Sequence, residues 1–152
     1  MKRVEVKLNL DAVAPLLDVI KGAADKLEPR LAIEPQVPEH DAEFADEWKR
    51  ELLAAQKTDL GVMLGLFGSE FFSDGVIALD PTNSEAILRA SAAIRLKLRE
   101  LHLKEFEDEN LEAGEIDLDE LPEVQQRAFA AYVFLATLQE VIVQHLDPTV
   151  LE

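Results

Sequence analysis

The chain has no cysteine among its 152 residues. Disulfide bonds, thiolate nucleophiles and zinc sites built on sulfur are therefore excluded. The N-terminus, Met1–Asp11, carries basic residues but lacks the apolar region of a secretory signal. Both absences fit a reducing compartment, and we expect a cytoplasmic protein.

Long apolar runs without polar residues are also missing. The most apolar stretch extends from Ala128 to Val143 and contains Gln139 and Glu140. A membrane-spanning helix needs about 20 predominantly apolar residues. We therefore expect this stretch to be a buried helix and predict no contact with membranes.

Lysine and arginine are absent from two segments that together account for the net charge of −16. Residues 31–48 contain six acids and residues 105–123 contain ten, so the rest of the chain is balanced. Carboxylates repel phosphates, which argues against nucleic acids and anionic membranes as partners. The acids of the second segment are solvated spacers or a docking surface for a basic protein or peptide. For the docking alternative we single out Glu107, Asp108, Glu109 and Glu112.

Motifs that carry catalysis or metal binding are absent as well. The three histidines, His40, His102 and His145, accompany no nucleophile and acid in a pattern typical of a hydrolase. No phosphate-binding glycine loop is present, and the acidic segment lacks the glycine that a calcium loop requires. We predict no catalytic residue, no metal and no cofactor.

The periodicity that is present predicts a mainly α fold, a four-helix bundle-like single domain over residues 1–150. Residues 4–10 alternate apolar and polar side chains, and residues 76–79 are apolar after a turn, so these segments form a minor two-stranded β element. The main helices are expected from the Asn9 or Asp11 cap to before Pro29, and over residues 41–67, 81–106 and 121–146. Residues 105–121 form an acidic linker, and Leu151-Glu152 matches a cloning remnant.

Two features of the middle of the chain leave alternatives open. Gly61, Gly65 and Gly68 mark either the close approach of a neighbouring element or a hinge. Phe71 and Phe72 belong either to the core or to an interface, and the second alternative would make the protein a homodimer.

Polar residues on the third and fourth helices form the candidate site. Arg95 and Arg99 lie between two apolar stripes of the third helix, and Tyr132 and Gln139 share a face of the nearly all-apolar fourth helix. A buried tyrosine or glutamine needs hydrogen-bond partners, and arginine offers five donors. We infer that Arg95 and Arg99 face Tyr132 and Gln139. Three alternatives remain for the cluster: an internal network that fixes helix register, a pocket for an anion or carboxylate, or exposure to solvent with no special role.

These residues also carry a resemblance to a known family. The segment Ile94–Arg99 followed by Leu101, then Tyr132 and Leu138–Glu140, is similar to a helical domain-of-unknown-function family, number twenty-seventeen, known mainly from actinobacteria. The family usually has a glycine in the segment where this chain has Lys97-Leu98-Arg99. The resemblance implies no activity.

Two functions follow from the sequence. The first is a non-enzymatic regulator or adaptor that acts through protein–protein contacts, with an acidic surface for a basic partner. The alternative is a domain that binds a small anionic ligand, or an enzyme without a known motif, with its site between the third and fourth helices.

Overall fold

The structure, a computed structural model, describes residues 3–33, 42–106 and 118–146. It is mainly α with one antiparallel ribbon, which confirms the predicted fold class. Several predictions fall outside the described residues: the candidate partner-binding residues Glu107, Asp108, Glu109 and Glu112, most of the acidic linker, and Leu151-Glu152.

The ribbon joins the start of the chain to its middle. Strand β1 (Val4–Lys7) pairs antiparallel with β2 (Val76–Leu79), with Val4 opposite Leu79. The pairing agrees with the expectation from sequence, but β1 is shorter than the predicted 4–10. The reason is that Asn9 caps the next helix, since its Oδ1 accepts a hydrogen bond from the Ala12 amide at 3.2 Å.

Helix α1 (Leu10–Lys26) buries the stripe that its sequence predicts, including Val13, Ile20 and Ala24. Pro15 is the sixth residue of the helix, where its missing N–H removes one bond of the helical ladder. Pro15 is exposed, so its ring meets solvent rather than the core.

Helix α2 (Ala42–Gly65) differs most from its sequence prediction. Its sequence has an apolar face from Phe44 to Leu66, but the buried residues, Asp59, Leu60 and Met63, all lie in the second half of the helix. The second half packs on a later helix, where the Ser91 hydroxyl lies 3.7 Å from the Met63 sulfur. The first half leaves Phe44 63% exposed.

The glycines near the end of α2 do not mark a close approach. A Cβ added at Gly61 or Gly65 would meet no atom of another part of the described structure within 4 Å. The close approach is at Gly75 instead. Its φ is +72°, and an added Cβ would lie 2.8 Å from the Leu8 carbonyl oxygen. The same Gly75 accepts a hydrogen bond from the Leu8 amide at 2.7 Å, which closes the ribbon.

A short helix, α3 (Ser69–Asp74), precedes β2 and was not predicted. It buries Phe71 completely against Phe67, with the ring centroids 5.2 Å apart in an edge-on arrangement. Phe72 is 55% exposed. The core alternative is therefore correct for Phe71 and wrong for Phe72.

Helix α4 (Ser84–His102) begins three residues later than predicted from Asp80-Pro81. The Asp80 carboxylate accepts hydrogen bonds from the amides of Thr82 and Asn83, at 2.8 and 2.9 Å, and so forms a turn before the helix. The helix also ends at His102 rather than near residue 106. It packs against α1, α2 and the last helix, as its two apolar stripes suggested.

Helix α5 (Glu123–Leu146) is the apolar helix of the core. By length and composition it could cross a membrane: its most apolar window of 18 residues has a mean hydropathy of 1.3, and 39% of that window is buried. The helix packs on α4 and α1 through one face. The buried residues on that face are Ala128, Phe129, Ala131, Tyr132, Leu135, Leu138, Ile142 and Leu146.

Candidate functional site

Arg95, Tyr132 and Gln139 lie together at the contact between α4 and α5. The Arg95 Nη1 donates to the Gln139 Oε1 at 2.7 Å, and the guanidinium carbon lies 4.4 Å from the centre of the Tyr132 ring. Tyr132 is buried and the other two side chains are half-buried. Hydrogen bonding and the cation–π contact thus hold one guanidinium at two points.

Gln139 ties α5 to α4 at two levels. Besides accepting from Arg95, its Nε2 donates to the Leu88 carbonyl at 3.1 Å. Leu88 and Arg95 are seven residues apart on α4, which places them two turns apart along one side of the helix. A glutamine that spans this distance fixes how far α5 can slide along α4.

The fourth predicted residue, Arg99, follows Arg95 by one turn of α4 and is half-buried. The structure therefore brings three of the four predicted residues into direct contact and places Arg99 next to them on the same helix face. Whether any of the four binds a ligand stays a prediction.

A second polar contact was missed by the sequence analysis. Arg89 on α4 donates from Nε and Nη2 to the two carboxylate oxygens of Asp59 on α2, at 2.8 and 3.0 Å. The Asp59 side chain is 11% exposed and that of Arg89 is 60% exposed. The sequence feature that could have indicated this contact is Asp59 itself, an acid on the apolar side of α2, because a buried carboxylate needs a partner.

The Asp59 pair has a defined electrostatic consequence. Its hydrogen bond raises the pKa of the Arg89 guanidinium above the ordinary arginine value, against a smaller opposing effect of burial. A group whose pKa is raised on folding contributes stability that is fully present below its unfolded-state pKa. That stability is lost as the pH rises through its folded-state pKa. Arg89 therefore stays charged and adds no pH dependence at neutral or mildly alkaline pH.

Gln56 on α2 organises the chain after α1. Its Nε2 donates to the carbonyls of Leu27 and Arg30, at 2.8 and 2.9 Å, and its Oε1 accepts from the Ala32 amide at 3.0 Å. One side chain thus satisfies three backbone groups outside the helices. Beside it lies an apolar groove of about 390 Å³, which Ile33, Leu52 and Leu96 line.

Two further hollows among the described residues also lie away from Arg95. One of about 540 Å³ lies beside the ribbon at Arg3 and Glu70, and one of about 410 Å³ lies between Val19 and Val124. Among the described residues, no group of three or more His, Asp or Glu side chains is placed to hold a metal ion.

The geometry defines a helical domain with an interhelical polar cluster, and comparison with known proteins gives the family. The chain belongs to the family described as Domain of unknown function (DUF2017), whose sequence pattern matches residues 11–146. This match confirms the resemblance carried by Arg95, Tyr132 and Gln139. It begins inside α1, so β1 lies outside it. No curated protein and no solved structure matches the chain.

Proposed function

We propose that the protein is a non-enzymatic cytoplasmic regulator or adaptor that acts through protein–protein contacts and offers an acidic surface to a basic partner. The observation that carries this proposal is the distribution of charge. All of the net −16 is contributed by two base-free segments, one running into the start of α2 and one connecting α4 to α5. Such segments steer a basic partner and make its association fast and salt-dependent.

The polar cluster supports the same proposal. Gln139 and the ring of Tyr132 already hold the Arg95 side chain between two helices. The alternative function, a small-anion site between α4 and α5, is less favoured for this reason. Both contacts of Arg95 join α4 to α5 and so contribute to the packing of these two helices.

A pull-down from a lysate of the native host tests the proposal. The bait is the full chain, and binding is compared at about 50 mM and about 500 mM salt, where screening lengths differ severalfold. A charge-neutral variant, E107Q/D108N/E109Q/E112Q, removes four acids of the linker. Its matched control, D18N/D25N/E28Q/E70Q, removes four exposed acids elsewhere.

We expect a partner that wild type retains at low salt and releases at high salt, that the linker variant retains poorly, and that the control retains normally. Failure of the wild-type bait to retain any protein at low salt would contradict the proposal. Equal losses in the two variants would also contradict it, because they would indicate unspecific attraction to net charge.

A further inference from the structure

The first half of α2 carries two aromatic side chains that lie outside the buried core, Phe44 and the half-buried Trp48. Phe44 is 63% exposed, and its ring stacks on that of Trp48 with centroids 6.3 Å apart. Leu52 and Ala55 continue the row toward the apolar groove beside Gln56. Such a row on a helix of a soluble domain marks a surface for contact with another molecule.

A row of carboxylates runs beside the aromatic row. Glu43, Glu47 and Glu51 are exposed and follow one another at intervals of four residues, so they share one side of α2. Each immediately precedes a member of the apolar row, namely Phe44, Trp48 or Leu52. The two rows extend from Glu43 to Ala55, which is about 18 Å or roughly three turns of helix.

The carboxylate row and the apolar row of α2 together indicate which kind of partner binds there. Two copies of this chain packed symmetrically on the same face would bring identical carboxylate rows together, and their repulsion opposes a homodimer there. Nucleic acid and anionic lipid are opposed for the same electrostatic reason. A helix with apolar residues on one side and lysine or arginine next to them satisfies both rows at once.

We propose that this α2 face, formed by Phe44 and Trp48 with Glu43, Glu47 and Glu51, binds a basic amphipathic helix of a partner protein. The apolar side of that helix covers the two rings, and its cations lie over the three carboxylates. The inference rests on the proposed function, because it specifies where and how the basic partner binds. It adds a contact on α2 to the contact that the partner makes with the linker after α4, and the peptide experiment probes the α2 contact alone.

The chain provides its own probe for the test, because Trp48 is its single tryptophan. The ligand is a designed peptide of leucine and lysine with leucines at helical spacing. A peptide with the same composition in scrambled order is its control. We expect the amphipathic peptide to shift the Trp48 emission to shorter wavelength and to bind at least about tenfold more tightly than the scrambled peptide.

Variants locate the binding, measured by the anisotropy of a labelled peptide. Phe44→Ser removes an exposed ring and should weaken binding about tenfold or more. Phe72→Ser removes a similarly exposed ring on α3 and should change nothing. Circular dichroism confirms that both variants are folded.

Charge variants separate the two acidic segments. The change E43Q/E47Q/E51Q should weaken binding and reduce its salt dependence, whereas E107Q/D108N/E109Q should leave the affinity within about twofold of wild type. Any of three results would contradict binding at the α2 face. They are equal binding of the scrambled peptide, unchanged affinity of Phe44→Ser, and loss of binding only in the linker variant.

This outcome is distinct from failure of the proposed function. If the wild-type bait retains a salt-sensitive partner while Phe44→Ser binds the peptide as tightly as wild type, the proposed function stands and the proposal for the α2 face is wrong. If the peptide binds through Phe44 while the bait retains no partner, the α2 face stands as a binding surface and the adaptor function is wrong.

Discussion

Gln139 connects the sequence to the packing of the core at the scale of single residues. It accepts from Arg95 and donates to the Leu88 carbonyl, so both ends of its amide are used between α4 and α5. Removal of one partner of a buried hydrogen bond leaves the other without compensation, which costs more than the bond itself contributes. Gln139 should therefore matter more to stability than its half-exposed position suggests.

Substitution of Gln139 by leucine tests this role. We expect the free energy of unfolding to fall by about 1–3 kcal/mol, because two hydrogen bonds between helices are lost. The matched control is Gln144→Leu on the same helix, whose exposed side chain donates to the exposed Glu140, and it should change stability by less than about 0.5 kcal/mol. Urea unfolding followed by circular dichroism gives both values, and equal losses would contradict the role of Gln139.

The sequence was sufficient to predict one polar contact and insufficient for another. Arg95, Tyr132 and Gln139 could be matched because each lies at a fixed angle on an amphipathic helix, and polar groups among apolar ones must find partners. The pairing of Asp59 with Arg89 depends on the register between α2 and α4, which helical periodicity within one element does not determine. The loop contacts of Gln56 depend on a chain path that has no periodicity at all.

At the scale of elements, glycine positions separate two kinds of constraint. Gly61 lies in the interior of α2 with open space around its Cα, so glycine has no packing role there. Gly75 ends α3 in the left-handed conformation and approaches the Leu8 carbonyl. A side chain would be accepted at the first position and would meet both backbone strain and a clash at the second.

Alanine substitutions should consequently have opposite signs at these two glycines. Gly61→Ala should raise the free energy of unfolding by about 0.5–1 kcal/mol, through the higher helix propensity of alanine. Gly75→Ala should lower it by about 1–3 kcal/mol, because φ and the short contact are both unfavourable. Thermal and urea unfolding measure the two, and a destabilised Gly61→Ala would indicate that the hinge alternative has merit.

Element boundaries show where local pattern was misleading. Asp80-Pro81 has the composition of a helix start. The Asp80 carboxylate instead accepts hydrogen bonds from the amides of Thr82 and Asn83, which forms a turn before the helix. The apolar face of α2 runs along its full length, although residues of α2 are buried only in its second half. Periodicity indicates which side of a helix is apolar, and it does not indicate what is available to cover it.

At the scale of the whole molecule, the net charge and the described buried core come from different parts of the sequence. The buried core lies mainly on α1 to α5 and β2, and Glu105 of the linker accepts a hydrogen bond from Gln125. Ten acids close together in the sequence repel one another and oppose a compact state. Their partial removal should leave the fold intact.

The variant E107Q/D108N/E109Q/E112Q/E115Q, which keeps Glu105, tests this expectation. We expect native circular dichroism and a free energy of unfolding equal to or above that of wild type, by up to about 1 kcal/mol at low salt, because repulsion is reduced. Wild type should gain more stability than the variant between about 50 and 500 mM salt. If the variant is unfolded, the linker acids are needed for the stability of the fold, and the expectation is wrong.

The pairing of Val4 with Leu79 makes the ribbon a contact of an unusual kind in this molecule. Helices form from neighbours in the chain, whereas the ribbon can form only after the intervening chain, with α1, α2 and α3, closes into a loop. Closure of a loop of this length costs on the order of 4 kcal/mol in chain entropy, and two short strands recover little of it alone. We therefore expect the ribbon to form in the last steps of assembly, with the first residues of the chain becoming ordered after its middle.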